Sequence, residues 1–312
     1  MQFSLRTLRY IVAIADTGTV TKAARQLNIS QPSISAALQT VEDNIGVRLF
    51  LRHHARGVTP TVAGRRFVNE ARQLLKQARD FERSVESLGS AITGEITVGC
   101  FLTLATRYMP GLLSEFARAM PGITVRLEEG NQQEIVEGLM AGRMEIALAY
   151  AYALPGEIAS EKLTDLPPYL LVCSDHPAAA QSRISLKSIA AEPFILLDLP
   201  HSRDYFMNLF TTCGTLPHIV YRSKSYELIR GLVGHGHGYT IHNALPGTSI
   251  TYDGSRVTAR PITEKMPAVQ VMCLHLGRQT MRPAVRAFAD FLQSAFSQTG
   301  MFATPAIEAR KP

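Results

Sequence analysis

Four cysteines are scattered through the 312 residues, Cys100, Cys173, Cys213 and Cys273, with no Cys-x-x-Cys pair among them. That spacing argues against a zinc framework and against the disulfide scaffold of a small secreted domain, and it predicts free thiols in the cytoplasm. Long apolar runs are missing as well, so no stretch is expected to span a bilayer. The opening MQFSLRTLRYIVAIA places Leu5, Leu8, Ile11, Val12 and Ala15 on one helical stripe. It has neither the uninterrupted core nor the cleavage site of a signal peptide. Enzyme motifs are also lacking: there is no Gly-x-Ser-x-Gly, no phosphate-binding glycine loop and no His-Glu-x-x-His. The expectation is a cytoplasmic protein that is not an enzyme, holds no cofactor and binds no metal.

What is present is uneven in charge. The chain carries a net +6, with 32 Lys/Arg against 26 Asp/Glu. Residues 1–92 hold 13 of those cations and 7 of the anions, so the remainder is neutral and the whole surplus sits in the first third. A basic segment joined to a balanced one suits a nucleic-acid-binding domain fused to a part that need not touch phosphate.

Within that segment Thr21 to Arg52 reads TKAARQLNISQPSISAALQTVEDNIGVRLFLR. Val20, Ala23, Ala24 and Leu27 recur at helical spacing, and Asn28-Ile29-Ser30 breaks the pattern. Ser30 stands where an N-cap belongs and Pro32 falls in the first turn, where a missing N–H is harmless. Ile34, Leu38, Val41 and Ile45 then form one narrow stripe. The opposite face carries Pro32, Ala36 and Gln39, flanked by Ser33, Ser35 and Thr40, with no acid before Glu42. A face without bulk or negative charge, but with amides and hydroxyls, suits a DNA major groove. Thr21, Ser30, Gln31, Pro32, Ser33, Ser35 and Gln39 are therefore the candidate DNA residues, with Arg52 and Arg56 for phosphates.

The pattern resembles the winged helix-turn-helix of LysR-type transcriptional regulators. The resemblance rests on Ala23-Ala24, Leu27, Ser30-Gln31-Pro32, Ile34-Ser35, Glu42, Gly46, Leu49-Phe50 and Arg52, followed by Thr61, Ala63 and Gly64 at the end of the wing. The chain departs from many members at Ala36-Ala37, where a polar residue is usual, and at Pro60, where Leu is usual. The resemblance implies an N-terminal all-α winged helix-turn-helix over 1–64, and a linker and dimerisation helix over 65–92. An α/β two-lobed, periplasmic-binding-protein-like sensor domain is implied over 93–305, with lobe one at 93–166 and 267–300 and lobe two at 167–266. It further implies double-stranded promoter DNA, a small-molecule effector, self-association to a dimer or tetramer, and RNA polymerase as partners, with no membrane.

The residues support that outline. From Arg65 to about Ile92 there is no proline, and Phe67, Ala71, Leu74, Leu75, Ala78, Phe81, Val85 and Leu88 form a stripe that needs a partner. Strand and helix patterns then alternate, which predicts parallel sheets with crossovers. Leu166-Pro167-Pro168 and Lys265-Met266-Pro267 look like the two crossings between lobes.

Such a fold gathers helix N-termini around one cleft, where unpaired N–H groups suit a small anion. Three loops are expected at its mouth: Cys100 to Thr103, Pro200 to Arg203 and Ser223 to Tyr226. Phe101, Thr103, Asn131, Tyr150, His201, Ser202, Ser225 and His242 are the candidate effector residues. For each serine or threonine, capping its own helix is the competing role. The run from His235 to His242 reads as a helix stop leading into a strand, without the carboxylate or cysteine that would complete a metal site. A thiol-based redox sensor is the alternative reading, yet Thr-Thr-Cys213-Gly-Thr has no basic neighbour to depress its pKa.

Overall fold

The computed structural model describes residues 3–53, 57–86 and 92–303. The N-terminal unit opens with α1 (Leu5–Thr17), capped by Ser4, and closes that helix on Gly18 in the left-handed region, φ 68°. Next come α2 (Val20–Gln26) and α3 (Gln31–Ile45). Ser30 caps α3 by accepting from the Ser33 N–H, and Gly46 ends it at φ 71°. Ile11, Ile14, Ala23, Ala24, Ile34, Leu38, Val41 and Leu49 make the core. The wing is a two-stranded antiparallel hairpin, β1 (Phe50–His53) and β2 (Gly57–Pro60). Pro60 sits at the end of that ladder opposite Phe50, so the wing still pairs along its length. Helix α4 (Val62–Glu86) follows at once. A Cβ on Gly64 would fall 1.9 Å from the Leu49 carbonyl oxygen, so only glycine lets α4 approach the strand this closely.

Lobe one is built on a five-stranded sheet. Its strands are β3 (Gly94–Phe101), β4 (Ile123–Gly130), β5 (Ile146–Tyr150), β6 (Ala159–Leu166) and β12 (Val269–His275), in the order β4-β3-β5-β12-β6. Helices α5 (Leu102–Ala119), α6 (Gln132–Met140) and α10 (Pro283–Ala295) cover it. The expected parallel pairing holds for β3 with β4 and β5. It fails for β12, which returns from the other lobe and runs antiparallel to both β5 and β6. Strand β6 has Glu161, Lys162 and Asp165 along an edge of the sheet, so it lacks the apolar run that marks its neighbours.

Lobe two contains β7 (Tyr169–Cys173), α7 (Leu186–Ile189), β8 (Pro193–Leu197), α8 (Ser202–Thr212), β9 (His218–Ser223), α9 (Tyr226–Gly234), β10 (Thr240–His242) and β11 (Val257–Pro261). Strands β10, β7 and β11 pair antiparallel, while β8 and β9 pair in parallel. A bridge from Phe194 to Tyr239 joins the two pieces. No helix among the described residues is long and apolar enough to cross a membrane.

Helix α4 touches both halves of the chain. Its Ala71 and Leu75 are buried with Leu8 of α1. Further along, Lys76 Nζ lies 3.0 Å from Glu145, the residue before β5. Arg282, at the start of α10, donates to both Glu145 carboxylate oxygens at 2.8 and 2.9 Å and to the Glu95 carbonyl at 2.7 Å, and it also pairs with Asp80 of α4. Arg72 ties α4 to Asp16 and to the Ala141 carbonyl. Phe81, by contrast, is 70% exposed, so the apolar stripe is uncovered at that residue in a single chain.

Candidate nucleic-acid interface and effector cleft

Helix α3 presents Gln31, Pro32, Ser33 and Ala36 to solvent, while Ser35 and Gln39 are half-buried. The Thr21 hydroxyl on α2 reaches Gln31 Oε1 at 3.4 Å, so the two helices offer one continuous polar edge. Ser30 is committed locally: its hydroxyl lies 2.7 Å from that of Ser33 and caps the helix. Gln39 is held from both sides, donating to Asp43 at 2.6 Å and accepting from Arg48 at 3.1 Å. Arg52 is exposed on β1, opposite Val58. Arg56 lies outside the described residues.

A residue outside the candidate set fixes this face. The Glu42 carboxylate is buried and accepts from the Leu49 and Phe50 N–H groups at 2.7 and 3.2 Å, while its second oxygen takes Arg48 at 2.7 Å. One buried anion therefore locks the end of α3 to the start of the wing. A charge at that depth is stable only because its donors are supplied. The spacing Glu42-x-x-x-Gly46 carried that signal, but the donors seven and eight residues away were not legible from it.

Between the lobes, Phe101 ends β3 and is itself the N-cap of α5, so the expected loop from Cys100 to Thr103 does not exist. Thr103, in the first turn of α5, has its hydroxyl 3.0 Å from that of Tyr150 at the end of β5. Burial raises the Tyr150 phenol well above its usual range, and its ring meets Phe101 edge-on with centroids 4.9 Å apart. Across the cleft, His201 is the N-cap of α8 with φ 64°, and Ser202 is the first helical residue. Ser202 therefore does not take the competing capping role; it is buried and lines the cleft. The His242 ring on β10 meets that of Tyr226 at a tilt of 40° with centroids 4.3 Å apart, and its Nε2 has no partner among the described residues. Burial lowers its pKa to about 3, with nearby Arg230 acting in the same direction, so the ring is neutral.

Phe101, Thr103, Tyr150, Ser202 and His242 thus meet around a small cavity of about 20 Å³. Two candidates go elsewhere. Asn131 makes a complete capping box on α6 with Glu134, and Ser225 caps α9 by accepting from the Leu228 N–H at 3.2 Å. For those two the local role won. His201 contributes through its backbone turn, and its side chain is not among the lining groups. Tyr152, Leu197, Phe206, Tyr226, Asn243 and Ala244 complete the wall and were missed. Tyr226 and Asn243 directly follow candidates in sequence, and Tyr152 shares a Tyr-x-Tyr spacing with Tyr150, which is the only signal they gave. Among the described residues no lysine, arginine, aspartate or glutamate lines the space.

The histidine run behaves as a chain stop. His235 ends α9, Gly236 takes φ 76°, and the His235 ring lies 3.0 Å from Asp253. Among the described residues no three metal-ligating side chains cluster. Cys100, Cys213 and Cys273 are buried, and burial raises all three thiols, Cys273 to about 12.

Residues 5–65 match the description of the bacterial regulatory helix-turn-helix protein of the lysR family, and residues 89–297 match the LysR substrate binding domain. An uncharacterized HTH-type transcriptional regulator of Escherichia coli K12, YnfL, is 31% identical over 301 residues, covering 95% of this chain and 99% of that protein. A hydrogen peroxide-inducible genes activator of Pectobacterium carotovorum is 27% identical over 93% of this chain and 96% of its own length. In structure, the chain is similar to HinK, a LysR family transcriptional regulator from Pseudomonas aeruginosa. The TM-score is 0.64 at 37% identity, covering 96% of this chain and 99% of that one.

Proposed function

From the premise that this chain belongs to the LysR family of DNA-binding transcriptional regulators and is not an enzyme, we propose that its DNA affinity is set by a small anionic effector held between the lobes. Gln31, Ser33, Ser35, Gln39 and Thr21 read base edges in this account, with Ser30 and Pro32 shaping the start of α3. Arg52 and Arg56 supply phosphate attraction. The chain works in the cytoplasm on double-stranded promoter DNA as a dimer or tetramer, and contacts RNA polymerase. The exposed Phe81, on the same stripe as the half-buried Leu74, supports a dimer across α4.

One observation carries the effector reading. Helices α5 and α8 begin at the same cleft, and Ser202, in the first turn of α8, is a buried residue lining it whose side chain does not cap the helix. Unpaired N–H groups and the positive ends of two helix dipoles favour a carboxylate there. With no cationic side chain in the wall, one negative charge is the most the cleft suits. A thermal-shift screen of the full chain against metabolites tests this, because a ligand of the native state raises its melting temperature. Hits should be weakened about ten-fold in Thr103→Val and in Ser202→Ala. Hits that bind both variants as tightly as wild type would move the site.

The thiol alternative draws on the peroxide-inducible relatives. The burial that raises the Cys100, Cys213 and Cys273 thiols opposes it, since the thiolate is the reactive form.

A further inference from the structure

An amide reads a base edge only if its oxygen and its nitrogen point the right way, and in this chain that choice is made before DNA arrives. We infer that Asp43 and Arg48 are positioning residues that fix the Gln39 carboxamide in one orientation and so set which base it prefers. Arg48 spends its charge on that task instead of on phosphate. This role presupposes that Gln39 meets a base edge, as proposed above, and it adds the residues that decide which edge.

The Gln39 carboxamide offers two N–H donors and two oxygen lone pairs. Its Nε2 spends one donor on Asp43 Oδ1 at 2.6 Å, and its Oε1 spends one lone pair on Arg48 Nη1 at 3.1 Å. A flipped amide would set its NH2 against the guanidinium and its oxygen against the carboxylate, so the two charged neighbours select one orientation. Both bonds have a charged partner and are stronger than neutral ones. One N–H and one lone pair are left for a base, and that pair matches the N7 acceptor and N6–H donor of adenine. Because the side chain is already held in the unbound protein, it loses less freedom on binding.

The clamp is anchored in the fold. Arg48 follows the turn at Gly46, and the same Nη1 donates to Glu42 Oε2 at 2.7 Å. Glu42 is 5% exposed and is tied in turn to the Leu49 and Phe50 N–H groups. Gln39 and Asp43 alone would be an ordinary surface pair one helical turn apart, as many helices carry. Arg48 comes from outside the helix, nine residues on, and turns that pair into a chain ending on a buried carboxylate. Its single charge faces two acids, Glu42 and Asp43, so the local sum is negative and a phosphate gains little there.

The test selects duplexes from a random library with the full chain, then titrates the enriched site and its single-base variants by gel shift at several KCl concentrations. Wild type should prefer adenine at one position of each half-site by about ten-fold. Gln39→Ala, Asp43→Ala and Arg48→Ala should each cut that preference to about three-fold or less, at the same position. Asp43→Asn keeps an acceptor without the charge and should retain the preference, which separates the orientation of Gln39 from repulsion between Asp43 and DNA. Arg48→Ala leaves Glu42 its two backbone donors, so the join between α3 and the wing is kept. Its salt slope of log K should match wild type, whereas loss of a phosphate contact would lower the slope by about one. A lower slope with an unchanged motif makes Arg48 a phosphate contact and overturns its positioning role. So does a motif that changes in Gln39→Ala yet persists in Asp43→Ala and Arg48→Ala. A motif unchanged by Gln39→Ala itself removes Gln39 from base readout and overturns the reading on which the clamp depends.

Discussion

Replacing Glu145 by Gln should cost this protein more than any exposed charge it carries. Glu145 is the acceptor at the centre of a buried cluster: both oxygens serve Arg282, one lies 3.0 Å from Lys76, and one accepts the Thr97 N–H at 3.3 Å. The side chains of Arg282, Glu145 and Lys76 are 5%, 11% and 15% exposed, so solvent can replace little of what is lost. Burial is the leading influence on all three, raising Glu145, lowering Lys76 and lowering Arg282 to about 10. The cluster is therefore weak as a net source of stability but costly to break. Glu145→Gln turns an NH2 toward two cations and an N–H, leaving buried charge uncompensated at ~3–5 kcal/mol. For a domain of this size that is a fall in melting temperature of roughly 10 °C by scanning calorimetry. Changing Lys76, Glu145 and Arg282 together to Met removes these three charges along with their desolvation but leaves Asp80 without Arg282, and should recover part of the loss. A shift under about 2 °C for Glu145→Gln, or a triple variant no better than the single one, would refute the reasoning.

Other consequences are as direct. Gln31→Ala should weaken a selected operator by ~1–3 kcal/mol and random DNA little, whereas Arg52→Ala should weaken both alike and flatten the salt dependence, as gel-shift titrations across salt would register. Leu74→Asp with Phe81→Asp removes two apolar contacts of ~1.5–3 kcal/mol each from the proposed dimer face and should give monomers by light scattering; a persistent dimer would place the interface elsewhere. Gly64→Ala forces its Cβ against the Leu49 carbonyl, so hydrogen exchange at residues 49–50 should speed up and DNA binding should fall together.

Local features were legible in the sequence and distant ones were not. The Ser30 cap, the Gly46 stop and the stripe Ile34, Leu38, Val41 are set by neighbours within one or two helical turns, and each lies where the spacing put it. Strand β6 carries no local signal, because this edge strand mixes Glu161, Lys162 and Asp165 with two leucines and has no apolar run to announce it. At the cleft, Thr103 and Ser202 look the same in sequence as Ser225 and Asn131. The first pair faces the cleft and the second caps helices, a difference decided by where each helix begins within a residue or two. The Arg282 cluster unites residues 137 and 202 positions apart, Glu145 and Asp80, and no local pattern encodes that.

The account stands most directly on sequence-specific DNA recognition by the exposed face of α3. Selection of bound duplexes from a random library by the full chain, followed by sequencing, measures it. The account predicts enrichment of a two-fold symmetric site whose half-site preference changes in Gln31→Ala and persists in Arg52→Ala. A library that stays unenriched, or the same motif recovered with Gln31→Ala, would contradict it.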